Sequence, residues 1–483
     1  MLLNQARNYS PVKILSLFFT FILSMLVCSA TAQDKARVLV LTDIENEPDD
    51  AESLVRFLVY SNHYDIEGLV ATTSTHLRNT TAEWRIQEIV QAYGKVRENL
   101  LLHEPGFPAE SDLQAIIKKG IPVYGMEGVG PGKDSEGSDW LIAMVDKEDE
   151  RPLWVSVWGG ANVLAQALWK VRQTRTPEAL DQFVSKIRVY TISDQDNSAS
   201  WIRKEFPDLF YIVSPGENYR HATWSGISGE PWYHFASGAD TTLVKNPWLR
   251  ENIMENHGPL GAEYPEVEYA MEGDTPSFLS LINNGLNVPE RPDYGGWGGR
   301  YELYLPRFLP YRRGEQEAAE TRPIWTDAQD EVTGKDGRIY IDNHATIWRW
   351  RDAYQNDFAA RMDWCVRSYE EANHPPVVLV SGAKEIQLRA GEQITLDASG
   401  SSDPDGDQLS YEWIHYPEAG NFWRWRGITL KGADSASLSI EAPSQLQLDA
   451  PQTTHLILQV TDDGSPRLTR YQRVIIHLMP TMK

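Results

Sequence analysis

The sequence predicts an α/β protein, a mostly parallel sheet flanked by helices, followed by an all-β immunoglobulin-like sandwich. Strand and helix patterns alternate from residue 36 to about 290, short alternating strands take over after Asn373-His-Pro-Pro376, and 483 residues exceed what one core usually holds. The expected organisation is a leader over 1–32, an α/β domain over 33–372, a linker over 373–376 and a sandwich over 377–483.

The leader comes first. Lys13 precedes the apolar run Ile14 to Val27, and Ala30-x-Ala32 follows, which is the pattern of a cleaved secretory signal peptide. The expected location is therefore periplasmic or secreted, with no stable membrane span after cleavage. Losing Arg7 and Lys13 takes the net charge from −23 to −25. So acidic a chain is a poor partner for nucleic acid. Cys28 leaves with the leader, and Cys365 alone forms no internal disulfide.

Ala36 to Leu41 reads as a buried strand, Asp49 to Ser61 as a helix with Leu54, Phe57 and Leu58 at helical spacing, and Ile66 to Thr72 as the next strand. Thr81 to Val96 is helical. Leu153 to Val157 runs through Gly159-Gly160 into the helix Asn162 to Arg172, and Ile187 to Ile192 ends in Ser-Asp-Gln-Asp. In such sheets ligands bind beyond the carboxyl ends of the strands. From 285 to 345 a Gly/Pro/aromatic stretch, including Gly295-Gly-Trp-Gly-Gly299, reads as a long irregular insertion. Residues 343 to 372 return to helix. The sandwich strands are expected at 385–388, 393–397, 409–413, 437–442, 455–460 and 470–478, in antiparallel order.

The first strand empties into Thr42-Asp-Ile-Glu-Asn-Glu-Pro-Asp-Asp-Ala51. Asp43, Glu45, Glu47, Asp49 and Asp50 repel one another, so folding them onto one turn calls for a cation or a solvated cleft. Hard carboxylate oxygens suit Ca²⁺. Asp43 and Glu47 also fit the simpler role of capping the following helix.

This turn resembles the nucleoside hydrolase signature Asp-Thr-Asp-Pro-Gly-x-Asp-Asp-Ala, with Asp43, Glu45, Asp49, Asp50 and Ala51 at matching positions. Val157-Trp-Gly-Gly-Ala-Asn-Val-Leu-Ala-Gln-Ala-Leu168 is similar to that family's Gly-Pro-Leu-Thr-Asn-Leu-Ala-Leu-Ala-Leu segment, and Glu272-Gly-Asp-Thr-Pro-Ser-Phe-Leu-Ser-Leu-Ile282 to its last acidic segment. The resemblance implies one Ca²⁺ held by Asp43, Glu45, Asp49, Asp50, Asp274 and the Ala161 carbonyl. Glu45 stands where the family has an aspartate that acts as ligand and general base, and Gly273 where it has a histidine. Residues 36 to about 340 resemble the nucleoside hydrolase-like domain of exported proteins described as cellulose-binding. Asp397 to Asp407 with Tyr411-Glu-Trp413 resembles polycystic-kidney-disease and cadherin-like modules; its Asp403, Asp405 and Asp407 fit either a calcium loop or a tight turn.

Substrate contacts are expected on the same rim: His76 after the second strand, Asp196 or Asn197 after a later one, and Trp224. His221, His257 and Asp196 are the candidates for protonating a leaving group, and Trp297 is the preferred stacking platform. Three functions follow. The leading one is an exported calcium-dependent hydrolase of glycosidic bonds in an oligo- or polysaccharide, with water activated by Glu45. The second is a non-catalytic polysaccharide-binding protein. The third is a true N-ribosyl nucleoside hydrolase.

Overall fold

The computed structural model describes residues 35–228, 238–307, 311–312, 315–316, 319–422, 427–445 and 448–480. The segment 1–32, read as a leader, lies outside them. No helix among the described residues is long and apolar enough to cross a membrane.

Among the described residues, ten strands precede the hairpin at 330–342: β1 (Ala36–Thr42), β2 (Tyr64–Ala71), β3 (Ile117–Lys119), β4 (Leu153–Val157), β5 (Ile187–Ser193), β6 (Phe210–Ser214), β7 (Tyr301–Tyr304), β8 (Tyr311–Arg312), β9 (Glu315–Gln316) and β10 (Ile324–Asp327). Eight form one sheet in the order β3-β2-β1-β4-β5-β6-β10-β7. All its pairs are parallel except β10 with β7. Helices α1 (Pro48–Val59), α2 (Glu83–His103), α3 (Glu110–Ala115), α4 (Glu136–Asp146), α5 (Asn162–Thr174), α6 (Pro177–Ser185) and α7 (Asn197–Glu205) connect the parallel strands.

The central strand shows why both faces must be covered. Val38 and Val40 pack into one core with Phe57, Leu58, Ile89 and Tyr93, while Leu39 and Leu41 pack into another with Leu141, Leu164, Leu168 and Ile202. A strand apolar at every position is what a sheet covered twice requires.

The described residues of the stretch 285–345 form more regular structure than its composition suggests. Tyr301–Tyr304 and Ile324–Asp327 extend the main sheet, and β11 (Asp330–Thr333) pairs antiparallel with β12 (Ile339–Asp342). Its glycines serve a close approach. Gly285, at φ +85°, lies so near Tyr471 that an added Cβ would sit 1.8 Å from the Tyr471 carbonyl oxygen.

The C-terminal strands are β13 (Glu385–Leu388), β14 (Gln393–Asp397), β15 (Ser410–Tyr416), β16 (Thr429–Lys431), β17 (Ser437–Glu441), β18 (Gln452–Thr461) and β19 (Thr469–Leu478). They form sheets β13-β19-β18-β15 and β14-β17-β16 around a core containing Leu396, Trp413, Ile440, Leu458 and Ile476. Their order departs from a wholly antiparallel sandwich in one place, since β13 runs parallel to β19.

The sandwich is bonded to the α/β part by buried polar groups. Arg473 donates to the Leu286 and Gly295 carbonyls, both at 2.9 Å, and Tyr416 donates to Asp330 at 2.7 Å. Asn373 and His374, expected in a free linker, are buried; Asn373 donates to Asp462 at 3.2 Å and the His374 backbone N–H to Asp405 at 2.7 Å. Cys365 is a buried free thiol.

His455 lies at this junction, buried, with Nδ1 accepting from Arg473 at 3.0 Å. Burial and the Arg473 charge push its imidazole down from 6.5 to about 3. Between those values the unfolded chain binds a proton that the folded chain refuses, so stability is lost as pH falls from 6.5 toward 3. Thermal unfolding from pH 7 to pH 4 is expected to show a shallower acid loss in His455→Gln than in wild type.

Candidate functional site

β1 delivers Asp43 to the carboxyl edge of the sheet, and α1 starts five residues later with Pro48 at its first turn. Pro suits that position because its missing N–H would have no helical acceptor. Asp49 and Asp50 therefore sit in the first turn, at the positive end of the helix dipole. Glu47 is the N-cap residue but makes no side-chain cap bond. Thr42 donates to Asp50 and, through its oxygen, accepts from the Ile44 N–H.

Asp274 arrives from the opposite side on a strained turn. Glu272 has φ +49° and is buried, a conformation costly for a residue with a Cβ. It is held by Arg56 (Nη2 to Oε1 3.0 Å), by Tyr264 donating at 2.7 Å and by its own N–H donating to Glu52 at 2.8 Å. The Arg56 guanidinium lies 4.0 Å from the centre of the Phe358 ring. Ser277 donates to the Asp274 carbonyl at 2.6 Å.

The result is a pocket lined by Asp43, Glu47, Asp49, Asp50 and Asp274, with Asn46, His76, Gln195, Tyr219 and Trp224 around its mouth. One oxygen from each of Asp49, Asp50 and Asp274 lies within 4.8 Å of the others. Both Asp43 oxygens and Asp274 Oδ2 are buried without a hydrogen-bond donor. Burial, then the neighbouring carboxylates, raises Asp49 to about 8 and drives Asp50 and Asp274 well above the usual carboxylate range. Burial likewise raises Asp43 and Glu47. Orphaned hard oxygens converging in a cavity of about 20 Å³ fit a metal ion, since roughly 10–15 Å³ already holds one water.

Glu45 and His257 stand elsewhere. Glu45, at φ +76°, turns outward, 40% exposed, and pairs with Arg85 at 3.2 Å. The left-handed backbone at this residue faces its side chain away from Asp49 and Asp50, and Glu47 lines the pocket instead. The Ala161 carbonyl accepts the Ala165 N–H at 2.9 Å at the start of α5, which occupies one of its two lone pairs. His257 is buried on Asp363 at 3.3 Å, in a separate cavity beside the helix Arg351–Asp363.

The remaining residues divide. His76 reaches the mouth, 3.2 Å from the Tyr219 hydroxyl. Trp224 lines the pocket, buried, donating to Ser193 at 2.9 Å. Asp196 caps α7 by accepting from the Ser198 N–H at 2.8 Å, and Asn197 accepts from the Met126 N–H at 2.8 Å, so both hold loops. His221 is exposed and opens on a neighbouring cleft. Trp297 is fully buried, donating to Tyr471 at 3.2 Å under the sandwich, and offers no face to a sugar. In the sandwich loop, Asp403 accepts from the Asp405 and Asp407 N–H groups at 2.9 and 3.1 Å, the bonding of a tight turn.

The glycines are explained by these carboxylates. A Cβ on Gly159 would meet Asp43 Oδ1 at 2.4 Å, and one on Gly273 would meet Trp224 at 2.8 Å and Asp49 Oδ2 at 2.9 Å. Trp224 occupies the space a side chain at 273 would need. Sequence reading counted Glu47 in the acidic turn but left it out of the ligand set as a helix cap, and it missed Arg56 as the support of Asp274. The i,i+4 spacing of Glu52 and Arg56 on a buried helix was the available signal for the latter.

A family model for the nucleoside hydrolase-like domain of cellulose-binding Sde182 matches residues 37–301, and one for the C-terminal domain of cellulose-binding protein Sde0182 matches residues 393–478. Among solved structures, a nucleoside hydrolase-related hypothetical protein from Saccharophagus degradans, described as associated with carbohydrate metabolism, is 37% identical. The match covers 92% of this chain and all of that one, with a TM-score of 0.75. The effector protein XOO4466 matches 69% of this chain and 95% of its own at 11% identity and a TM-score of 0.31. The PKD domain of KIAA 1837 protein matches 22% of this chain and 90% of its own at 21% identity and a TM-score of 0.16. Neither of these two bears on the site. No match was found among curated proteins.

Removing the support of Asp274 tests its role. Arg56→Met leaves the buried Glu272 carboxylate unpaired and is expected to lower unfolding free energy by about 3–5 kcal/mol, read by urea denaturation. Gly273→His, which restores a side chain beside Asp49, is expected to displace Trp224 and alter its fluorescence.

Proposed function

The chain belongs to the family of cellulose-binding proteins that carry a nucleoside hydrolase-like domain, and from that premise we propose that it is an exported, calcium-dependent hydrolase of glycosidic bonds in a carbohydrate. The observation that carries the proposal is the surplus of carboxylates. Three acids suffice to hold one divalent ion, yet Asp43 and Glu47 share the pocket with Asp49, Asp50 and Asp274. Acids with raised pKa beyond the ligand set suit proton transfer.

Asp49, Asp50 and Asp274 would hold the ion, with Asp43 beside them. A bound Ca²⁺ supplies a Lewis acid for water and for vicinal hydroxyls. Glu47 takes the proton of the attacking water in place of Glu45. His76, the histidine lining the mouth among the described residues, returns a proton to the leaving oxygen. The C–O bond at the anomeric carbon breaks, and a C–OH and an O–H form.

A second reading has one observation of its own. The space of about 20 Å³ between the carboxylates suits an ion or a water, as in a protein that binds polysaccharide around a structural cation without cleaving it. Release of reducing sugar from cello-oligosaccharides and aryl glycosides separates the two. Turnover that is lost with chelator, and reduced at least about 100-fold in Glu47→Gln, supports the hydrolase. Binding without turnover in wild type supports the second reading. Release of free base from inosine would instead point to a nucleoside hydrolase.

The raised carboxyl groups give the cation a pH signature. Because Asp49 holds its proton up to about 8 before the ion binds, uptake expels protons and the apparent affinity for Ca²⁺ rises from about pH 6 to about pH 8. Calorimetry in buffers of different ionisation enthalpy is expected to register net proton release.

A further inference from the structure

The carboxyl edge of the sheet carries a second and larger opening. Strand order places β6 next to β5, and β10 next to β6. The chain leaving β6 forms the turn Tyr219–His221, then Thr223–Ile227. Tyr219 and Trp224 face the acidic pocket, whereas His221 faces a cleft of about 580 Å³ at the end of β10, lined also by Glu302, Tyr304, Asp327 and Asn343. One short turn therefore separates the two cavities.

That wall is fixed from the cleft side. Asn343 donates to the His221 carbonyl at 2.7 Å, and Asp327 Oδ1 accepts from the Thr223 N–H at 3.0 Å and the Thr223 hydroxyl at 2.6 Å. Ser214, the last residue of β6, donates to the same oxygen at 2.5 Å. Asp327 Oδ2 takes none of these bonds. Tyr304, 38% exposed, lines the same cleft and donates its hydroxyl to the Asp327 carbonyl at 3.2 Å. A half-exposed aromatic ring beside carboxylate, amide and imidazole groups is the lining that recognises sugar rings and their hydroxyls, and the volume falls within the roughly 300–1,000 Å³ of ligand clefts.

We propose that this cleft is a glycan subsite, receiving the saccharide residues that lead away from the unit presented at the acidic pocket, with the turn Tyr219–His221 as the wall the chain crosses. It rests on the carbohydrate reading above and deepens it: the ligand is an extended oligosaccharide rather than a monosaccharide or a nucleoside. The mismatch of sizes argues the same way. The acidic pocket has room for an ion, and the sugar contacts fall to the open cleft.

The test is calorimetric titration of the full chain, loaded with Ca²⁺, with cello-oligosaccharides from disaccharide to hexasaccharide. Wild type is expected to gain about tenfold or more in affinity with length, and Tyr304→Ala and His221→Ala to lose most of that gain. Both changes are at the surface, and unchanged stabilisation by Ca²⁺ shows that each variant is folded. Affinity independent of length in wild type, or an undiminished length gain in both variants, overturns the proposal. Asp274→Asn keeps the two claims apart. If it abolishes binding of every oligosaccharide while Tyr304→Ala retains the length gain, the cation reading stands and the cleft assignment falls. If wild type shows the length gain without taking up Ca²⁺, and Tyr304→Ala loses it, the cleft stands without the cation.

Discussion

Repulsion among five carboxylates in one buried pocket is the constraint to which the rest of the α/β domain answers. Two unit charges 4.8 Å apart interact by about 3 kcal/mol at an effective dielectric of about 20, so even the trio Asp49, Asp50 and Asp274 carries several kcal/mol of mutual repulsion if all are ionised. The dipole of α1 returns about 0.3–1 kcal/mol per acid, and the Thr42 hydroxyl about one hydrogen bond. Neither offsets the repulsion. Protons do so without a cation, which is why burial and crowding drive these groups upward, and a divalent ion does so with both charges at once.

The scaffold brings the acids together through features that have no other evident use. Gly159 and Gly273 leave space that Asp43, Asp49 and Trp224 fill. Glu272 is held in a left-handed conformation by a fully buried ion pair with Arg56, reached from α1, so the helix that presents Asp49 and Asp50 also positions the turn that presents Asp274. One helix sets both sides of the pocket. The cores on either face of the sheet, by contrast, are ordinary apolar layers and bear on function only by holding the carboxyl edge steady.

Much of this was legible in the sequence because the signals were local. The apolar run of β1, the acidic turn and the Gly159-Gly160 break lie within a few residues of what they determine, and β4, β13 and β14 run over the expected residues. What was not legible depended on backbone sign or distant packing. Spacing put Glu45 with the other acids, but its positive φ turns it to Arg85, and Glu47 takes its place in the pocket. Trp297 between glycine pairs read as a surface platform, whereas Gly295 permits close approach to Tyr416 of the sandwich and the ring is buried against Tyr471. His257 and His221 have the right chemistry, and only the fold says that neither side chain lines the acidic pocket.

The sandwich is more than an appendage. Arg473, Tyr416 and Tyr471 bond to residues 284–297, which lead into β7, and to Asp330, which follows β10, and these two strands carry the open cleft. Its docking and the shape of that cleft are thus linked through one stretch of chain. The claim on which the proposed hydrolysis rests is the ion itself. Anomalous diffraction from crystals soaked in a heavier calcium mimic such as Tb³⁺ tests it most directly. The expected result is a peak among Asp49, Asp50 and Asp274, with oxygens at about 2.3–2.6 Å, and none at Glu45. A peak at Glu45 and Arg85, or an empty pocket beside well-ordered carboxylates, would contradict it.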